Sequence, residues 1–243
     1  FSVHADAGGV RWNARFHDKT DSDAWVDDKG KFHANRTNDS ALAKSAVEAA
    51  ENGLTLTRSE PGQYKSNPDP PFTTDTLLMK SGSEMSWKPG RTMKVAGELY
   101  NAGHITYIRT DSTRTNAGAR EQVKSYISQT WGDDYLGKGV VGPDVKGDSA
   151  NVQDAHEAIR PTVPASQSVD GLSKDQSRLY RLIWARFAAS QMSPSQYERL
   201  SMSATASGFE KSFTATSSWR VHRGWEAAFE GIRKEPATSP PQS

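Results

Sequence analysis

Glu60-Pro-Gly-Gln-Tyr-Lys-Ser-Asn-Pro-Asp-Pro-Pro-Phe72 carries four prolines, Pro61, Pro68, Pro70 and Pro71. Such a run punctuates a chain and reads as a domain boundary, placed here between residues 66 and 67. Before it the signals are those of strands. Val3 to Ala7 and Val10 to Phe16 alternate apolar and polar residues around Gly8-Gly9, the pattern of a hairpin. Asp39 or Ser40 caps a helix running to Asn52, with Ala43, Ala46, Val47 and Ala50 on one face and Gly53 as the stop. Leu54 to Ser59 is a further strand that ends at the proline run.

Beyond Phe72 the periodicity changes to helical. Thr74 to Ser81 reads as a short helix, and Arg91 to Ala102 as a longer one, with Met93, Ala96, Leu99 and Tyr100 at helical spacing and Gly103 as terminator. His104 to Arg109 is extended. Asn116 caps a helix to Thr130 that places Ala119, Val123 and Ile127 on one stripe, and Gly132 to Asn151, with five glycines and one proline, is a long loop. Ser173 and Gln176 form a capping-box pattern ahead of a helix to about Met192, whose stripe is Leu179, Leu182, Ile183 and Phe187; Ser193-Pro194 ends it. Leu200 to Ala206 and Lys211 to Ser217 then alternate around Gly208 as a second hairpin. The order β, α, β predicts an α+β chain: a β-rich domain from 1–66 and 191–235, a helical domain inserted at 67–190, and a linker or tail at 236–243.

The 243 residues suffice for one or two domains. A hydrophobic fraction of 35% is low for a compact globule and fits a piece whose packing neighbours lie elsewhere; Phe1 and the Pro236 to Ser243 run read as cut points or linker. No run of about 18 apolar residues is present, nor a charged-then-apolar leader, which predicts a soluble, cytoplasmic protein with no membrane partner. Without cysteine there is neither a disulfide nor a zinc-thiolate site. The net charge of +1 hides a local bias: from Met85 to Lys124 there are seven basic residues (Lys88, Arg91, Lys94, Arg109, Arg114, Arg120, Lys124) against three acidic ones (Glu98, Asp111, Glu121). That stretch is suited to phosphates.

Chemistry concentrates in Ile105-Thr-Tyr-Ile-Arg-Thr-Asp-Ser-Thr-Arg114. In an extended backbone Tyr107, Arg109 and Asp111 share a face. A phenol is a poor nucleophile at its free pKa of about 10, and a fixed neighbouring cation stabilises both the phenolate and the charge developing on an attacked phosphate. Arg109, with its planar fork, is suited to that. The competing reading of the same residues is a half-buried aromatic beside a surface Arg109–Asp111 ion pair.

The ten residues Ile105 to Arg114 resemble the active-site signature of type IA DNA topoisomerases, and Gln153-Asp-Ala-His-Glu-Ala-Ile-Arg-Pro-Thr162 resembles that family's second signature. Supporting likenesses are Pro70-Pro-Phe-Thr-Thr-Asp-Thr-Leu77, Arg91-Thr-Met-Lys-Val-Ala96 and Asp175-Gln-Ser-Arg-Leu-Tyr-Arg-Leu-Ile-Trp184, so the resemblance runs from about Phe1 to Gly231.

The resemblance implies that the β-rich domain is part of an arch enclosing DNA, and that the inserted domain carries a tyrosine that joins the 5′-phosphate of single-stranded DNA, frees a 3′-hydroxyl, and reseals after strand passage without ATP. By position Tyr107 is the nucleophile and Arg109 orients it and the scissile phosphate. Thr106 and Asp111 support the site, and His156 contacts DNA near the break. Arg160, Arg114, Arg91, Lys94 and Lys124 are further candidates for DNA contact, although Arg160 and Glu157 also suit an ion pair and the basic helix residues also suit solvated faces. The resemblance also implies Mg²⁺, held by a domain N-terminal to this segment, and a strand-binding helical domain, both outside this chain. Asp21-Ser-Asp23 has the spacing of a metal cluster but reads as a polar turn, and Asn101 stands where family members usually carry Glu. Two other readings are a tyrosine recombinase, disfavoured because Tyr107 and Arg109 are only two residues apart, and a non-catalytic single-strand DNA-binding or gate module using basic residues with Trp131 and Trp184.

Overall fold

Residues from both ends of the chain build one five-stranded sheet. The computed structural model describes residues 2, 4–7, 10–15, 25–140, 157–233, 236 and 238. The sheet comprises β1 (His4–Ala7), β2 (Val10–Ala14), β3 (Leu54–Ser66), β4 (Ser195–Ala206) and β5 (Phe209–His222), in the order β1-β2-β5-β4-β3. β1 and β2 are antiparallel with Ala7 opposite Val10, and β2 meets β5 with Asn13 opposite Thr214. The Gly8-Gly9 turn expected between β1 and β2 lies outside the described residues, as do Asp21-Ser-Asp23. Gly208, at φ +76°, takes the left-handed conformation at the β4–β5 turn.

Two strand limits differ from the sequence reading. β3 continues through Pro61 to Ser66 instead of stopping at Ser59. It is the edge of the sheet, where a residue without an N–H leaves no ladder bond broken. β4 and β5 also extend past the clean alternation that marked their middles.

One helix, α1 (Ser40–Glu51), belongs to the same unit, and the Asp39 carboxylate accepts the N–H groups of Ala41 and Leu42 at its start. Its buried face is Ala43, Ala46 and Ala49, which packs with Ala14, Ala204, Ala206, Ala215 and the fully buried Phe213. Val47, expected on that face, is exposed. At 3.6 residues per turn it stands about 100° from the centre of the stripe, which small alanines define by allowing close approach.

The chain divides into two units: Phe1–Tyr64 with Tyr197–Val221 and Pro236–Ser243, and Lys65–Gln196 with His222–Glu235. The second is helical: α2 (Thr74–Met85), α3 (Pro89–Asn101), α4 (Ala117–Trp131) and α5 (Lys174–Ala189), with a 3₁₀ turn at Gly224–Phe229. Local chemistry sets each start. Thr73 with Thr76, and Ser173 with Gln176, form reciprocal capping boxes; Asn116 caps α4, and Pro89 occupies the first turn of α3, where its missing N–H costs nothing.

α5 is the centre of this unit. Beyond its expected stripe, Tyr180, Trp184, Ala185, Arg186, Ala188 and Ala189 are also buried, because α2, α3, α4 and the 3₁₀ turn cover it on several sides. Arg186 is held in this core by donating to Asp69 Oδ2 and Pro70 O, both at 2.6 Å, with its guanidinium over the Phe72 ring. It ties the proline run to α5. The first part of the expected long loop is a single 3₁₀ turn at Asp133–Tyr135, followed by Gly137 and Val140 N–H groups donating to Gln191 O and Ser190 O. A Cβ on Gly137 would fall 2.1 Å from Met192 O, so only glycine allows this approach. The rest of that loop, 141–151, lies outside the described residues.

Candidate active site

Three extended segments of the helical unit lie side by side. Residue Phe72 bridges Ile159, and Ile105 bridges Pro161. The 157–162 segment is therefore laced on one side by Ile159 N–H to Phe72 O at 2.8 Å, and on the other by Thr106 N–H to Arg160 O at 2.9 Å and Thr162 N–H to His104 O at 3.0 Å. Farther along, Ala158 N–H donates to Arg114 O at 2.8 Å, and Thr74 exchanges bonds with Thr110. The described part of the second signature, residues 157–162, thus forms the bed on which the first one lies.

Threonine hydroxyls complete the lacing. Thr106 Oγ1 accepts the Arg160 N–H at 2.9 Å and donates to Ala158 O at 2.7 Å. Thr74 Oγ1 donates to Ile108 O at 2.8 Å. Thr110 Oγ1 accepts the Ser112 N–H, and Ser112 Oγ accepts the Arg114 N–H. The backbone is thereby fixed on both sides of Tyr107.

Burial alternates from Tyr107 to Asp111. Ile105, Ile108 and Thr110 are buried, whereas Tyr107, Arg109 and Asp111 are exposed, Tyr107 to 44%. The backbone is not a continuous strand, since its one β-bridge among the described residues is at Ile105 and it bends at 108–109; the order of an extended chain breaks between the buried Ile105 and the exposed Tyr107 and holds from Tyr107 to Asp111. The Tyr107 ring meets the ring of Tyr100, at the end of α3, edge to face with centroids 5.4 Å apart.

Among the described residues, Arg109 and Asp111 form no ion pair with each other, and neither side chain has another partner there. The Arg114 guanidinium and the Lys94 and Lys124 amines are likewise without hydrogen-bond or ion-pair partners among the described residues. Two other arginines are engaged. Arg91 donates to Asp175 Oδ2 through Nε at 3.0 Å and Nη2 at 2.6 Å, with its guanidinium 4.6 Å from the centroid of the Trp87 ring. Arg160, whose side chain is 12% exposed, pairs with Glu157 at 2.6 Å and donates to Pro161 O. His156 lies outside the described residues. Asn101 is exposed at the last position of α3, and Trp184 is in the core with its indole N–H on Pro164 O.

No group of three or more His, Asp or Glu side chains that would hold a metal ion occurs among the described residues. The Mg²⁺ that the resemblance implies therefore finds no ligand set there, and no step assigned to these residues passes through it. What the site presents is a phenol and a guanidinium on exposed positions of a backbone held from both sides.

Sequence reasoning missed three participants: Thr74 and Thr110, whose mutual bonds span 36 positions, and Tyr100 as the neighbour of Tyr107. Thr74 lay within a quoted motif, but nothing local indicated its partner.

A family model described as DNA topoisomerase matches residues 10–242. The chain is 36% identical over 216 residues to DNA topoisomerase 1 of Pseudomonas aeruginosa, covering 86% of this chain and 23% of that protein. It is 36% identical over 199 residues to the Haemophilus influenzae protein of the same name, covering 80% and 22%. Full-length topoisomerase I from Thermotoga maritima has a similar structure, with a TM-score of 0.72 at 26% identity over 97% of this chain and 36% of that one. The chain spans less than a quarter of these two curated relatives.

Proposed function

This chain belongs to the type IA DNA topoisomerase family, and we propose that it carries the part of such an enzyme that breaks and reseals single-stranded DNA. Tyr107 is the nucleophile. Its phenolic oxygen attacks a backbone phosphorus, a P–O bond forms to Tyr107, and the P–O3′ bond breaks. The phenolic proton is lost and the departing 3′-oxygen gains one, leaving a 5′-phosphotyrosine and a free 3′-hydroxyl. The reverse reaction reseals the strand. No nucleotide is hydrolysed because a phosphodiester is exchanged for another phosphodiester.

The observation that carries this reading is the exposure of Tyr107 on a segment whose backbone is tied down at Thr106 and Thr110. Arg109, free of protein partners among the described residues, binds the attacked phosphate and stabilises the charge that gathers on it. Asp111 supports this pair. Lys94, Arg114 and Lys124 are the basic side chains available for the DNA backbone, while Arg160 and Arg91 hold their own elements through Glu157 and Asp175. His156 contacts DNA near the break. The remaining domains of the enzyme supply strand binding and any metal.

Covalent trapping on a labelled single-stranded oligonucleotide tests the proposal in a chimaera in which this chain replaces the matching segment of Thermotoga maritima topoisomerase I. An adduct is expected on Tyr107. Binding without any adduct would instead indicate a non-catalytic gate module.

A further inference from the structure

The lacing around Tyr107 acts on its backbone, and the orientation of its ring depends on what the side chain meets. The neighbouring side chains Ile105 and Ile108 are buried, whereas the tyrosine is nearly half exposed and turns about two side-chain bonds. A nucleophile is effective only when the reacting atoms stand about 3–3.5 Å apart and in line. A ring packed against Tyr107 therefore bears on the reaction.

α3 brings a second ring to the same place. Val95, Ala96 and Leu99 are buried and anchor its last turns. After Asn101 the Ala102 N–H returns to Glu98 O and the Gly103 N–H to Tyr100 O. Gly103 sits at φ +76°, and this left-handed turn lets the His104 N–H reach Leu99 O at 2.9 Å. The chain then runs back past the helix end, and Tyr107 arrives against Tyr100 with an interplanar angle of 65°, the edge-to-face arrangement that aromatic quadrupoles favour. Tyr100 is itself 41% exposed, and Tyr107 is the one ring it meets among the described residues.

We infer that Tyr100 is a positioning residue, whose ring braces Tyr107 in the orientation from which its oxygen reaches the phosphate. This role rests on Tyr107 being the nucleophile. Tyr100 acts through Tyr107 and not on DNA, so it contributes to the rate of the covalent step and not to the hold on the strand. It needs the ring and not the hydroxyl.

The test uses the same chimaera. Single-turnover adduct formation and equilibrium binding are both measured on one oligonucleotide, for Tyr100→Leu and Tyr100→Phe, with melting temperatures as a check of folding. The worth of an edge-to-face pair converts to a roughly three- to tenfold slower adduct formation in Tyr100→Leu. Its Kd stays that of the parent, and Tyr100→Phe regains most of the lost rate. A Tyr107 adduct formed at the parental rate in Tyr100→Leu overturns the inference. So does a loss that appears in Kd, which would make Tyr100 a base-stacking contact, or a phenylalanine as slow as the leucine. An adduct that forms in the parent on a residue other than Tyr107 contradicts the reading of the nucleophile instead, and the two failures are distinguishable.

Discussion

Thr106 and Arg160 hold each other twice, the Thr106 N–H donating to Arg160 O and the Arg160 N–H donating to Thr106 Oγ1, both at 2.9 Å. The residue next to the proposed nucleophile is thus locked to a segment 54 positions away. The hydroxyl also donates to Ala158 O.

Thr106→Val keeps the shape of the side chain and removes the hydroxyl, leaving the Arg160 N–H and the Ala158 carbonyl short of a partner. Unpaired groups of this kind cost about 1–3 kcal/mol. A lower melting temperature of the helical unit is expected, with Thr106→Ser closer to the parent. Equal melting of the valine variant and the parent would show that the crossing bonds are idle.

Arg186 presents a different balance. Its guanidinium is buried, whereas its partner Asp69 is largely exposed. Removing the arginine therefore leaves a carboxylate in water and not an isolated buried charge, so Arg186→Met is expected to cost about 1–3 kcal/mol, less than the 3–5 kcal/mol typical when a buried partner is stranded. Chemical denaturation of the two proteins measures the difference.

Burial pushes the Tyr180 hydroxyl up to about 12 from its ordinary 10.0, and the group donates to Ser166 O. Between these values the unfolded chain has lost a proton that the folded chain keeps. Its contribution is full below pH 10 and disappears as the pH rises through 12. The parent should therefore lose stability between pH 10 and 12 more steeply than Tyr180→Phe. Parallel curves over that window contradict the assignment.

Arg109→Lys retains the charge and loses the planar fork. Cleavage in the chimaera is expected to slow by a factor on the order of 10², the scale for one oriented transition-state donor. A rate within twofold of the parent would mean that charge alone suffices.

Elements governed by neighbours in sequence were legible from it. Asp39, Asn116 and the Ser173–Gln176 box begin their helices where their side chains predict, because a cap satisfies N–H groups only two or three residues away. The alternation of buried and exposed residues from Tyr107 to Asp111 was legible for the same reason. What depends on distant approach was not. Pro61 lies inside β3 because that strand is an edge, Val47 is exposed because alanines set the face of α1, and α5 is buried nearly all round because partners from four elements cover it. Within the site, the bonds of Thr74 to Thr110 and of Thr106 to Arg160 join segments whose nearness no local pattern encodes.

The central claim is that the Tyr107 oxygen forms the bond to DNA. Peptide mapping of the DNA-linked fragment from the chimaera tests it most directly. Phosphotyrosine at Tyr107, abolished in Tyr107→Phe while binding to the oligonucleotide is retained, is the predicted result. A DNA-linked phosphotyrosine at Tyr100, Tyr126 or any other residue, or an adduct that persists in Tyr107→Phe, would contradict it.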